Sequence, residues 1–279
     1  MGKDAYRLTS PREVRALLER LGHRPNRGMG QNYLIDANVL EIIADAAGVE
    51  AGEPVLEIGP GLGALTERLL ARGARPVCVE KDPTMAAWLR ERFGAEIELI
   101  EADALDVNWN ALLPERGIRK AAANLPYSVA SRLMVDLAES AHRPERMALT
   151  IQKEVADRLC ARPGDRHYGV LAVLTGVFCE SVAVKRVSPS CFLPPPKVVS
   201  AVVRMDRRAE PMVEPALYPA FKRLIKVCFA QRRKQIGTIL RKTGVCDAEA
   251  ALVEAGIERT ERPERVGIER WGALARRLA

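Results

Sequence analysis

The chain has 279 residues, 48% hydrophobic and 28% charged, with 43 Lys and Arg against 36 Asp and Glu for a formal net charge of +7. That balance excludes the disordered classes and allows one sizeable core plus a smaller second domain, while the excess of cations points to a polyanionic partner. No uncharged apolar run reaches the ~18 residues of a membrane span, and Met1–Tyr6 carry no apolar signal core, so a cytoplasmic protein without membrane contact is expected.

In chain order, the first feature is a basic cluster, Arg20, His23, Arg24 and Arg27, ahead of Gly28-Met29-Gly30. The apolar run Pro54–Gly59 reads as a buried strand entering a glycine turn, Gly59-Pro60-Gly61-Leu62-Gly63, and then the helical period of Leu65–Ala71. Glycine lets backbone approach a ligand closely, but the spacing is G-x-G-x-G, and an acid, Glu57, precedes it. A carboxylate there repels a pyrophosphate and suits a cationic nucleoside without phosphate. The second strand, Pro76–Glu80, ends in Glu80-Lys81-Asp82, which places Glu80 where it can accept both hydroxyls of a ribose. Helix Thr84–Arg92 and strand Ile97–Ala102 follow, and Asp103 can then accept from an adenine amino group.

The fourth strand, Ala121–Asn124, opens into Asn124-Leu125-Pro126-Tyr127. An exocyclic amine presents two N–H donors, so a site for it needs acceptors held still. The Asn124 side-chain oxygen and a carbonyl fixed by the Pro126 ring provide them, and Tyr127 provides a ring to stack on the base. Taken singly, each of these features is also what a solvated strand-end acid or a strand-capping turn looks like. Three acids at successive strand ends on one ligand-binding edge are harder to read that way.

A fifth strand, Met147–Ile151, completes a series in which strands alternate with helices, the pattern of a mostly parallel sheet covered on both faces. Ser181–Val187 and Val198–Met205, joined through Pro194-Pro195-Pro196 without a helix-length crossover, are expected to pair antiparallel at one edge. Beyond Arg207-Arg208 the pattern becomes helical, with Pro211 and Pro215 at the junction. The expected division is a catalytic domain over residues 1–208 and a small helical domain over 209–279. Within the latter, Lys222, Arg223, Lys226, Arg232, Arg233, Lys234, Arg241 and Lys242 fall in a stretch from Phe221 to Lys242 that contains no Asp or Glu, a footprint for phosphates. The six Cys and three His are dispersed without zinc-like spacing, so reduced core thiols and no metal site are expected.

Together, Gly30-Gln31-Asn32-Tyr33-Leu34, Glu57–Gly63, Glu80-Lys81-Asp82, Ala102-Asp103-Ala104, Asn124–Tyr127, Gln152-Lys153-Glu154-Val155-Ala156 and Phe192-Leu193-Pro194-Pro195-Pro196-Lys197-Val198 resemble the ribosomal RNA adenine dimethyltransferases, most closely the bacterial small-subunit branch. The likeness runs from about Ser10 to Leu240. Tyr33, where the family usually has Phe, Ala121–Ala123 and Ser128 depart from commoner choices without removing a hydrogen-bonding group. The resemblance implies a class I methyltransferase fold, a Rossmann-like sheet with an antiparallel edge, using S-adenosylmethionine. It implies Asn32 and Leu34 closing over the cofactor, Gly59 beneath it, Glu80 on the ribose, Asp103 on the adenine and Asn124 near the methionine end. Gly61, Lys81 and Ala104 complete the cofactor set.

The target adenine, by the same resemblance, is held by Asn124, Leu125, Pro126 and Tyr127 and by a second ring from the Pro-rich loop, Phe192. The implied reaction is in-line displacement by adenine N6 on two adjacent adenines of 16S rRNA in the small ribosomal subunit, giving dimethyladenine, with a monomeric enzyme that takes part in subunit biogenesis. Two other functions share much of this pattern. One is the resistance-type methyltransferase of large-subunit rRNA; the other is a non-catalytic ribosome-assembly or transcription factor. The Phe192–Arg204 stretch and the basic block favour the small-subunit enzyme, and intact Glu80, Asp103 and Asn124–Tyr127 disfavour the factor.

Overall fold

The computed structural model describes residues 6–25, 31–242 and 247–279. Among them nine strands form: β1 (Tyr33–Leu34), β2 (Pro54–Ile58), β3 (Arg75–Glu80), β4 (Glu98–Glu101), β5 (Lys120–Asn124), β6 (Arg146–Gln152), β7 (Cys179–Val187), β8 (Phe192–Leu193) and β9 (Ser200–Arg207). Seven of these make one sheet in the order β4-β3-β2-β5-β6-β9-β7. The strands β2 to β6 run parallel to one another, and β9 runs antiparallel to β6 from Arg146↔Asp206 to Gln152↔Ser200. β7 lies outside β9, so both late strands fall at the expected edge. The inner parallel strands are buried on both faces, which is why they read as apolar runs: Val55, Leu56, Ala121, Ala122 and Ala123 are all at most 1% exposed.

The strand order reverses between β2 and β5, since the chain builds outward through β3 and β4 and then returns to lay β5 on the other side of β2. A crevice opens at the carboxyl ends of strands at such a reversal, here at Gly59 and Asn124. Helix Ala37–Ala47 covers the sheet face lined by Val55, Ala122 and Ala148. The Asp36 carboxylate caps it by accepting from Val39 N at 3.0 Å, and Gly48, at φ +63°, ends it. On the other face, helix Pro83–Phe93 buries Met85, Trp88, Leu89 and Phe93 with Cys78. A Cβ on Gly63 (φ +90°) would run into the Phe93 ring, so only glycine serves where the turn enters helix Ala64–Ala71.

The chain divides into two compact units. The first takes the chain up to Ala156 together with Val182–Arg207, and the second takes Asp157–Ser181 with Arg208–Ala279. The segment Asp157–Ser181, assigned by sequence to the first domain, therefore belongs with the helices. Its aromatic side chains explain why: Tyr168 packs edge-on to Phe229 and Phe178 to Tyr218, and Phe178 O accepts from Arg208 N at 2.8 Å. In that second unit, helix Tyr218–Ala230 buries Phe221, Ile225, Cys228 and Phe229 along one stripe and packs against helices Val170–Gly176 and Ile268–Leu278.

Candidate active site and nucleic-acid face

Two adjoining depressions, of about 770 and 1050 Å³ including their open mouths, occupy the crevice at the strand reversal and share Gln31, Gly59, Glu80 and Pro126. The first is lined by Asn32, Tyr33, Leu34, Glu57, Gly61, Met85 and Asn124–Tyr127, among others, and the second by Lys81, Asp103, Ala104, Ser128, Val129 and Leu133. Every residue expected at the cofactor lines one or the other. Pro126 touches the backbone at the reversal: a Cβ on Gly59 would lie 3.6 Å from Pro126 Cδ.

Glu80 ends β3 and is 7% exposed. Its carboxylate accepts from Gly61 N at 3.1 Å on Oε2 and from Asp82 N at 2.8 Å on Oε1, with Lys81 N also turned toward it, and still keeps acceptor capacity for a further donor. Burial pushes its pKa up and those N–H groups pull it back. Asp103 accepts from Lys81 Nζ at 2.6 Å and from Leu105 N at 3.0 Å, and the Lys81 ammonium holds its carboxyl below the usual range. On β5, Asn124 Nδ2 donates to Asn32 O at 3.0 Å. A carbonyl only accepts, so that bond fixes which way the amide points. Oδ1 on the other side is buried with no hydrogen-bond partner. Tyr127 Oη lies 2.5 Å from Ser200 Oγ, and burial raises its pKa.

Glu57 adds a further acid to the same crevice. It is 2% exposed, accepts from Thr66 Oγ1 at 2.7 Å, and burial pushes its pKa up to about 8, with the nearby Glu80 charge adding to the rise. The ligand-free protein is therefore expected to lose stability, relative to Glu57→Gln, as pH rises toward and through 8. A folded-state pKa raised above the unfolded one contributes stability that is fully present below the unfolded value and lost above the folded one. Melting temperatures of both proteins between pH 6 and 9 check this; parallel curves would show Glu57 already ionised.

Phe192 departs from its expected role. It is 2% exposed, lines neither depression, and pairs across β8 with Leu34 of β1, which turns its ring into the core beside Leu40, Val187 and Val202. Of the two rings expected to sandwich a base, Tyr127 alone lines the crevice. Glu57 and Tyr33 stood in the sequence motifs without a place in the cofactor set, and Met85 and Leu133 carried no signal beyond helical apolar spacing.

In the second unit, the expected basic block is split between helix Tyr218–Ala230, the turn after it and the end of helix Ile236–Lys242, with Arg223, Lys226, Arg232, Arg233, Lys234, Arg241 and Lys242 exposed. Residues distant in sequence join it. Arg232 Nη2 donates to Arg166 O at 3.0 Å, and Gly164 N donates to Glu264 O at 2.7 Å. The exposed Arg162 and Arg166 thus lie on a loop fixed to that turn and to the segment carrying exposed Arg262 and Arg265. The earlier cluster fares differently. Arg20 pairs with Glu91 at 3.1 Å and lies over the Tyr6 and Trp88 rings, so it is engaged in packing, while Arg27 and Gly28–Gly30 lie outside the described residues.

The parallel sheet with its antiparallel edge and a strand-end crevice lined by Glu80, Asp103 and Asn124 define a class I methyltransferase fold. The family model "Ribosomal RNA adenine dimethylase" matches residues 22–279, and the chain belongs to that family. It is 40% identical to "Ribosomal RNA small subunit methyltransferase A" of Syntrophotalea carbinolica, over 91% of this chain and 97% of that one, and 42% identical to the protein of the same name from Rhodospirillum rubrum, over 94% and 91%. Among solved structures it is similar to the 23S rRNA methyltransferase ErmE (TM-score 0.65, 31% identity, 88% of this chain and 98% of that one). The fold is also that of a dimethyladenosine transferase from Plasmodium falciparum (TM-score 0.70, 24% identity, 86% and 94%). No helix among the described residues is long and apolar enough to cross a membrane.

Proposed function

We infer that the protein dimethylates adenine N6 in small-subunit rRNA with S-adenosylmethionine as donor, acting as a cytoplasmic monomer on the ribosomal particle. The observation that carries this is the orientation of Asn124: an amide anchored through its nitrogen, with an unpaired buried oxygen at a strand end beside Tyr127. That oxygen is the acceptor an exocyclic amine requires. The donor set fits the cofactor as well. Glu80 has acceptor capacity for a ribose diol, Asp103 for an adenine amine, and Glu57 offers a buried carboxyl to a cation.

When bound, S-adenosylmethionine supplies an electrophilic methyl group. The residues of the chain do the positioning. Asn124 Oδ1 and the backbone carbonyl preceding Pro126 would accept from N6–H, favouring a more tetrahedral, nucleophilic nitrogen, and Tyr127 would stack on the ring. A base in a duplex cannot reach them, so the substrate adenine is unpaired or flipped out. The relatives at 40–42% identity favour the small subunit, whereas the likeness to ErmE keeps large-subunit rRNA as the competing substrate. Mapping N6,N6-dimethyladenine after incubation with undermethylated small subunits, large subunits and naked rRNA decides between them. Methylation confined to large subunits or free 23S rRNA would overturn the small-subunit reading.

On this reading Glu80→Ala is expected to weaken S-adenosylmethionine binding by about 1–3 kcal/mol, because two ribose hydroxyls lose a charged acceptor. Calorimetric titration measures it, and unchanged affinity would remove Glu80 from the cofactor site.

A further inference from the structure

Glu80 is oriented by two backbone donors, Gly61 N and Asp82 N, and both are held from behind by one side-chain cluster on the segment ahead of β2. The Tyr33 ring packs close against Gly61, where a Cβ would sit 3.0 Å from Tyr33 Cε1. Asp82 is reached from the other side: Gln31 Nε2 donates to Asp82 Oδ2 at 3.3 Å, and His23 Nδ1 lies 3.7 Å from the same oxygen. His23 Nε2 ties the two halves together, at 3.0 Å from Tyr33 Oη and 3.2 Å from Gln31 Oε1. Gln31 Oε1 accepts and the Tyr33 hydroxyl can take either role toward His23 Nε2, while the same hydroxyl lies 3.6 Å from Met85 Sδ. Asp82 Oδ1 meanwhile accepts from Thr84 N and Met85 N, capping helix Pro83–Phe93. The side chains of His23 and Asp82 are 10% and 18% exposed, so water competes little for these bonds.

We propose that His23 and Tyr33 are positioning residues that hold the Gly61 and Asp82 backbone donors, and through them the Glu80 carboxylate, in the geometry that receives the ribose of the cofactor. Neither needs to touch the cofactor for this. The His23 ring spans from the Tyr33 hydroxyl to the Asp82 carboxylate, so it closes the cluster. The proposal rests on the crevice taking S-adenosylmethionine.

The test measures S-adenosylmethionine and S-adenosylhomocysteine affinity by calorimetry, and steady-state methylation of small subunits, for His23→Ala, Tyr33→Phe, the double variant and His23→Gln. Expected is a roughly three- to tenfold rise in KM and Kd for the cofactor in each single variant, with kcat within about twofold. The double variant loses little more than either single one, because both act through one cluster. His23→Gln, which keeps an N–H near the Nε2 position, recovers most of the loss. Unchanged cofactor KM in Tyr33→Phe and His23→Ala, fully additive losses, or a fall in kcat at constant KM each overturn the proposal. Failure of the underlying reading is separate and visible: the unsubstituted protein would then bind no S-adenosylmethionine at all.

Discussion

Asn124→Ala lowers the turnover of small-subunit methylation by about 10²–10³-fold while leaving rRNA affinity within about twofold, the signature of a bond made mainly in the transition state. The amide lies where β5 meets the Pro126 turn, and its unpaired oxygen is the acceptor that tightens as N6 becomes tetrahedral. Asn124→Asp sharpens the test. It keeps an acceptor but replaces Nδ2, which donates to Asn32 O, with an oxygen facing that carbonyl, so the segment bearing Asn32 loses its anchor. Both variants are expected to be poor catalysts, and Asn124→Asp should also bind cofactor more weakly. Single-turnover kinetics with saturating subunits, alongside filter-binding, separates the effects. An equal loss of binding and turnover in Asn124→Ala would assign the residue to substrate binding.

Replacing Arg232, Arg233 and Lys234 with Gln weakens binding to small subunits by about 10- to 100-fold at low salt and flattens the log–log salt dependence by about 0.7–0.9 for each phosphate that the protein no longer neutralises. Cofactor affinity stays constant, since these side chains and the crevice belong to different units. Arg232 also donates to Arg166 O, so the Arg233→Gln/Lys234→Gln pair checks that the loss is one of charge and not of loop placement. A salt slope unchanged in the triple variant would make the exposed turn a solubilising surface only.

Much of the crevice was legible in the sequence because Glu80 and Asn124 end strands that are apolar along their inner length. A strand buried on both faces announces itself, and the polar residue that closes it is then at the ligand edge, whereas Asp103 follows the half-buried edge strand β4, which itself carries Glu98 and Glu101. What could not be read depended on partners distant in sequence. β1 and β8 are two residues each, too short to carry a period, and only their pairing reveals that Phe192 turns inward beside Leu34. The approach of His23 to Asp82, and the docking of the Arg162–His167 loop beside Arg232 and Arg265, join segments tens of residues apart through single contacts that leave no trace in local pattern. The sequence marks the helical unit beyond Arg208 by its change of period, but Asp157–Ser181 lies among strands in the sequence and declares its allegiance only through Tyr168 and Phe178.

That allegiance governs how the chain can be dissected. A protein stopped after Arg207 would retain Asp157–Ser181 without the helices that cover it, laying bare Tyr168, Leu171, Val173, Leu174 and Phe178, each at most 5% exposed in the intact chain. Such a stripped apolar surface promotes self-association. An isolated catalytic unit instead calls for excising residues 157–181 as well and bridging Ala156 to Val182 with a flexible linker, and insolubility of a simple C-terminal deletion would say nothing about whether the helical unit is needed for catalysis.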